Sequence, residues 1–259
     1  MNAFLYVMIF IMGTFFGSFF TLAVYRIPLK KDITHEHSFC PNCNHKLGVL
    51  DLVPVFSYLF LRGKCRYCGQ KVRIRYLLLE VLSGIVFVLT YISLNIQNVY
   101  FDFSKIIDFV FFVFMYVTIV LVAGIDKEYR KINVSVLVFG AICQAGYILY
   151  LYVIGDASMY RYSIYFAIFI LLFIINAILQ KKYENYFSQI VLLCGYVFAV
   201  LGLKAVCIIG LLSIIFALVL PHIAKKKYVS FEKVPIGFII GIFTVAYKIV
   251  ENFIEFYII

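Results

Sequence analysis

The chain is dominated by long apolar runs separated by short polar segments. A run of about 20 apolar residues crosses the hydrocarbon core of a bilayer as a helix, and eight segments fit that description: residues 1–25, 76–97, 105–125, 132–154, 162–180, 187–203, 204–222 and 235–250. Gly202, Leu203 and Lys204 form the whole break between the sixth and seventh runs, so one of that pair is expected to be re-entrant or strongly tilted. A secretory signal would start with basic residues and carry a shorter apolar core. Residues 2–25 carry no charge, which reads as a first span. Gly13 and Gly17 share one face of it, a spacing that suits close helix packing but is also common in spans generally.

Composition agrees with this pattern. Hydrophobic residues make up 64% of the 259 positions and charged residues 14%. A soluble domain is about half apolar and a quarter charged, and a disordered chain has the opposite balance. Both classes are excluded, and the fold class is an all-α polytopic membrane protein of about eight transmembrane helices.

The formal charge is +10, and its placement sets the topology. Cytoplasmic loops collect Lys and Arg. Residues 26–75 hold ten: Arg26, Lys30, Lys31, Lys46, Arg62, Lys64, Arg66, Lys71, Arg73 and Arg75. With that loop inside, alternation also brings in 126–131, 181–186 and 223–234, so 19 of the 23 positive charges lie on one side. The N-terminus is then outside and the large loop cytoplasmic. The basic balance serves the lipid bilayer, and nucleic acid is not expected as a partner.

That loop contains Cys40-Pro-Asn-Cys43 and Cys65-Arg-Tyr-Cys68. Two C-x2-C knuckles at this separation are the spacing of a four-thiolate zinc site, tetrahedral and closed, hence structural. Disulfides are the alternative, but they rarely persist in a reducing cytosol. Fifty residues with few apolar side chains do not build a sufficient core, and a metal clamp supplies what is missing. His35, His37 and His45 are candidates to replace a ligand or are solvated loop histidines. Cys143, Cys194 and Cys207 stand singly in spans and read as packing residues.

The residues around the loop resemble the type IV prepilin peptidase family. The likeness runs through Gly17-Ser18-Phe19, Tyr25-Arg26-Ile27-Pro28, the first cysteine pair, Asp51-Leu52-Val53-Pro54, Ser57-Tyr58-Leu59, Leu61 to Cys68, Arg75-Tyr76 and Glu80. Further on, Asp126 and the segment to Asn133 resemble the family's D-x6-P element, with Asn133 where proline is usual. Val234-Pro235-Ile236-Gly237-Phe238 resembles its I-P-F-G-P-F element. The resemblance implies a bifunctional inner-membrane enzyme. Such an enzyme removes the leader of type IV prepilin or pseudopilin precursors at the cytoplasmic face, then methylates the new N-terminus with S-adenosylmethionine. It also implies three parts: a first span over 1–25, a cytoplasmic four-cysteine domain over 26–75 associated with methyl transfer, and a peptidase-like membrane domain over 76–259.

In the family, cleavage is assigned to two aspartates, the second in a G-x-G-D motif. Asp126, at the end of the third run, is the first candidate; it reads otherwise as a solvated aspartate pairing with Lys127 or Arg130. Aspartyl proteolysis needs a pair of carboxylates sharing a proton. Residues 181–189 read Lys-Lys-Tyr-Glu-Asn-Tyr-Phe-Ser-Gln, without G-x-G-D. Asp156 falls on the outer side, and Asp108 lies 18 residues before Asp126, about 27 Å along a helix. Glu184 is therefore the candidate second carboxylate, or a solvated residue of a basic loop, with Glu232 as its rival. Glu80 is a candidate for holding the substrate's positive N-terminus or for pairing with Arg73 or Arg75. The alternative function is a family member without proteolysis, acting in methyl transfer alone or as an assembly scaffold.

Overall fold

The computed structural model describes residues 2–94, 96, 103–180, 186–223 and 234–257. Among the described residues the secondary structure is helical, apart from two isolated antiparallel bridges, Phe39–Lys46 and Lys64–Lys71. The helices are α1 (Asn2–Arg26), α2 (Phe56–Phe60), α3 (Arg75–Ser93), α4 (Phe103–Tyr129), α5 (Val134–Ile154), α6 (Ser158–Gln180), α7 (Tyr186–Leu201), α8 (Leu203–Ile223) and α9 (Ile236–Tyr257). A 3-10 turn, Val49–Asp51, precedes α2. Helices α1, α3, α4, α5, α6 and α9 are long and apolar enough to cross a membrane, and α7 and α8 are shorter apolar helices. Helix α7 has 16 residues, about 24 Å, less than the roughly 30 Å of hydrocarbon.

The chain divides into two compact units, 1–106 and 107–259. In the first, α1 and α3 pack against each other, and the four-cysteine module connects them. Their approach is close because glycine faces backbone. A Cβ at Gly13 would lie 2.7 Å from the Ser83 carbonyl oxygen, and one at Gly17 would lie 2.6 Å from the Glu80 Cα. Gly84 returns the favour to Phe10, whose ring a Cβ there would meet at 2.7 Å. The Phe16 and Phe87 rings fill the seam at 5.3 Å between centroids. The glycine spacing of the first run is thus a packing device.

In the second unit, α4 is the most deeply buried of the long helices. It runs through Tyr129, past the expected end at Ile125, so Asp126 sits inside a helix and is fully buried. Arg130, at φ 54°, ends the helix. Asn133 accepts a hydrogen bond from the Ser135 N–H and caps α5, so the residue standing where proline is expected starts the next helix by another route. Helix α6 begins at Ser158, four residues before the expected Tyr162, because Asp156 accepts from the Ser158 N–H at 2.7 Å. Gly202, at φ 85°, makes the left-handed turn between α7 and α8, which glycine adopts without steric cost.

Replacing Gly17 with Leu should force α1 and α3 apart, since any side chain there meets backbone. Overpacking of this kind costs about 1–3 kcal/mol. A lower unfolding midpoint in detergent, with a smaller loss for Gly146→Ala, whose added Cβ meets only ordinary contacts at 3.7 Å and beyond, checks the prediction.

Candidate functional site

Two polar centres stand out, one in each unit. The first is the cysteine cluster. In each knuckle, the N–H of the first cysteine donates across the hairpin while its carbonyl accepts from the residue four positions on. Cys40 N–H reaches the His45 carbonyl at 3.0 Å, and Asn44 N–H reaches the Cys40 carbonyl at 2.8 Å. The same pair recurs from Cys65 to Gln70 at 2.8 Å and from Gly69 to Cys65 at 3.0 Å. The flanking bonds repeat as well: Leu47 to Ser38 at 2.9 Å, and Val72 to Gly63 at 2.8 Å. Asn44 and Gly69, at φ 55° and 69°, take the left-handed position that asparagine and glycine tolerate best. The knuckles are one structure used twice, and the ring of His45 lies on that of Tyr67 at 3.6 Å between centroids.

The four ligand atoms all lie within 4.8 Å of one another, with Cys40 Sγ 3.9 Å from Cys68 Sγ. A tetrahedral ion with metal–sulfur distances of about 2.3 Å needs sulfurs about 3.8 Å apart. The cluster has that shape, and the four cysteines are unpaired thiols. Zinc takes thiolates, and the knuckles favour them at two of the four positions: the Gln70 N–H and the Asn42 amide hold Cys68 down at about 6. The N–Hs of Cys43 and Asn42 lower Cys40. Despite the His45 N–H, desolvation and the neighbouring sulfurs push Cys43 up to about 11. A cation at the centre would relieve that crowding of negative charge.

Other residues of the resemblance shape the chain around the cluster. Asp51, little exposed, accepts from Arg66 Nε at 2.7 Å and from the Tyr67 hydroxyl at 3.0 Å, tying the 3-10 turn to the second knuckle. Desolvation alone would raise its carboxyl, but the Gly48 N–H, Tyr67 and Arg66 outweigh it and hold it below the usual range. Arg26 is buried, and its guanidinium donates to the carbonyls of Asp32 at 2.9 Å, Glu36 at 2.8 Å and His37 at 3.1 Å. It folds the start of the loop over the end of α1. Glu80 accepts from the Val55 N–H at 2.7 Å, a partner that neither expectation for it had named. Val55, at φ 63° and ψ −53°, centres a tight turn closed by Phe56 N–H to the Pro54 carbonyl at 2.6 Å. A β-branched residue is strained there, and the buried carboxylate holds it.

The second centre is Asp126. Its Oδ1 accepts from the Tyr186 hydroxyl at 2.6 Å, and its Oδ2 accepts from the Phe238 N–H at 3.1 Å. Phe238 lies in the first turn of α9, whose opening N–H groups lack partners within the helix, so Asp126 caps α9 from another helix. Gly237 makes this possible, because a Cβ there would stand 3.1 Å from Oδ2. Lys127 lies over the Phe238 ring at 4.5 Å. One turn along α7 from Tyr186, Gln189 accepts from the Ile132 N–H at 3.0 Å, and Asn176 donates to the Ser188 carbonyl at 2.8 Å. Carboxylate chemistry does not point to Tyr186, whose signal in the sequence is its place in the segment where the resemblance puts G-x-G-D. Glu184 and Glu232 lie outside the described residues, and so does any pairing with Asp126.

Residues 11–94 match the family described as Bacterial Peptidase A24 N-terminal domain. The chain is similar to proteins named prepilin leader peptidase/N-methyltransferase in several bacteria. It is 40% identical to one from Myxococcus xanthus over 81 residues, 31% of this chain and 24% of the relative. For Klebsiella pneumoniae the figures are 38% over 87 residues, 31% and 38%. For Bacillus subtilis they are 30% over 131 residues, 51% and 49%. The chain thus spans between about a quarter and a half of the length of these relatives. No solved structure matches the chain.

Metal analysis should find about one zinc per chain, lost in the double variant Cys40→Ser, Cys65→Ser; a folded protein with no metal would contradict the assignment. Tyr186→Phe should lower stability by about 1 kcal/mol, and Asp126→Ala by about 1–3 kcal/mol for each donor it orphans. Denaturant unfolding in detergent separates the two.

Proposed function

We propose, on the premise that residues 11–94 form a bacterial peptidase A24 N-terminal domain, that this multi-pass membrane protein is a prepilin-processing enzyme. It cleaves the leader of type IV prepilin or pseudopilin precursors at the cytoplasmic membrane face and methylates the new N-terminus. The match over 11–94, which takes in the cysteine cluster, carries the reading. The concentration of positive charge in residues 26–75 supports a cytoplasmic position for the module in the inner membrane, with the N-terminus outside. Zinc through Cys40, Cys43, Cys65 and Cys68 gives the module its structure. S-adenosylmethionine supplies the methyl group.

For cleavage, we assign Asp126 and Glu184 as the carboxylate pair. One, ionised, takes a proton from the attacking water. The other, protonated, donates to the scissile carbonyl, and a proton returns to the leaving amine. Support for the pair comes from Tyr186, which touches Asp126 and stands two residues from Glu184 in sequence. One observation favours a second reading, methyl transfer without cleavage. Both oxygens of Asp126 already accept hydrogen bonds from the protein, as a structural cap would.

A leader-bearing pilin peptide, incubated with purified protein with and without S-adenosylmethionine, tests both. Cleavage should occur without the methyl donor and fall at least about 10²-fold in Asp126→Asn and Glu184→Gln. Methylation of a pre-cut peptide with no cleavage of the precursor would select the second reading. Normal cleavage by Glu184→Gln would exclude the pair.

A further inference from the structure

The four-cysteine module leaves much of its apolar side-chain surface uncovered. Val49 and Phe60 are each 83% exposed and Leu50 71%, and Phe56 and Leu59 are more than half exposed. These residues are neighbours, because the turn Val49–Asp51 packs against α2. Phe56 and Phe60 lie one helical turn apart and so share a face of α2. A contiguous apolar patch of this kind on a polar module marks an interaction surface.

Its position and charge identify the occupant. The module is held at both ends by span-length helices: α1 closes at Arg26 and α3 opens at Arg75. It therefore lies within reach of the headgroups. The exposed Arg62 and Lys64 follow α2 directly. Across 26–75, ten Lys and Arg face only three acidic residues, Asp32, Glu36 and Asp51. Two of those three are already engaged, Asp32 with His35 and Asp51 with Arg66. Apolar tips bordered by cations suit an anionic lipid interface, where rings and branched chains enter the acyl boundary and the cations stay with the headgroups.

We propose that the turn Val49–Asp51 and α2 form an apolar wedge that inserts into the headgroup boundary of an anionic bilayer. The wedge lays the cysteine module against the membrane instead of leaving it free in solution. The Glu80 carboxylate serves this arrangement as a positioning group, since it holds the strained turn at Val55 from which α2 starts. The inference needs the membrane spans but neither cleavage nor methyl transfer.

The chain contains no tryptophan, so a single introduced one reports alone. Leu50→Trp and Phe60→Trp, each in the full-length protein, would be reconstituted in phosphatidylglycerol-rich vesicles with and without lipids brominated near the top of the acyl chain. Both positions are exposed, so folding should survive, and helical circular dichroism checks it. Both tryptophans should emit at blue-shifted wavelengths, lose intensity to the brominated lipid, and resist aqueous acrylamide. Quenching should weaken in purely zwitterionic vesicles. No response to brominated lipid at either position, whether or not acrylamide reaches it, would overturn the wedge. So would tryptophans exposed in vesicles and shielded only on addition of an apolar pilin peptide, which would make the face a polypeptide site.

Discussion

A bilayer offers no water to backbone groups, so every break in a spanning helix needs a partner from the protein itself. That constraint accounts for several of the buried polar side chains here. Asp126 satisfies the start of α9, and Gln189 the turn between α4 and α5. Arg26 answers three carbonyls beyond α1, and Glu80 answers the N–H of Val55. Each would read as a catalytic or charged oddity in a list of residues. In the structure each closes a main-chain gap, and Asp126 also meets a side-chain hydroxyl from a distant helix.

The spans were legible because hydropathy along a helix is a local property. Their ends were less so: α4 and α6 extend past the apolar runs because polar residues, Asp126 within one and Asp156 before the other, are taken up by the helix or its cap. The cysteine spacing was legible for the same local reason, as the knuckle bonds all fall within ten residues. The packing of Gly13 and Gly17 on α3 was not, since a glycine pair does not name the surface it meets. Nor was the contact of Tyr186 with Asp126, 60 residues apart. Only the fold brings the Tyr186 phenol to Asp126.

The two centres differ in how they are held. The cysteine module rests on short backbone bonds and on paired side chains near its surface, with Asp51 and the His45–Tyr67 contact joining its halves. Asp126 is fully buried and set by three helices. Substitutions around the module are absorbed locally, whereas a change at Asp126 is felt at the starts of both α7 and α9.

Because the knuckles are copies of one another, each can close by itself from contacts a few residues apart. A shared ion would then join two finished halves across the 25 positions from Cys40 to Cys65. A cross-link around a loop of that size removes unfolded-chain entropy worth about 3 kcal/mol. It does so as a disulfide would, but in a form that cellular reductants leave intact and that a chelator can undo.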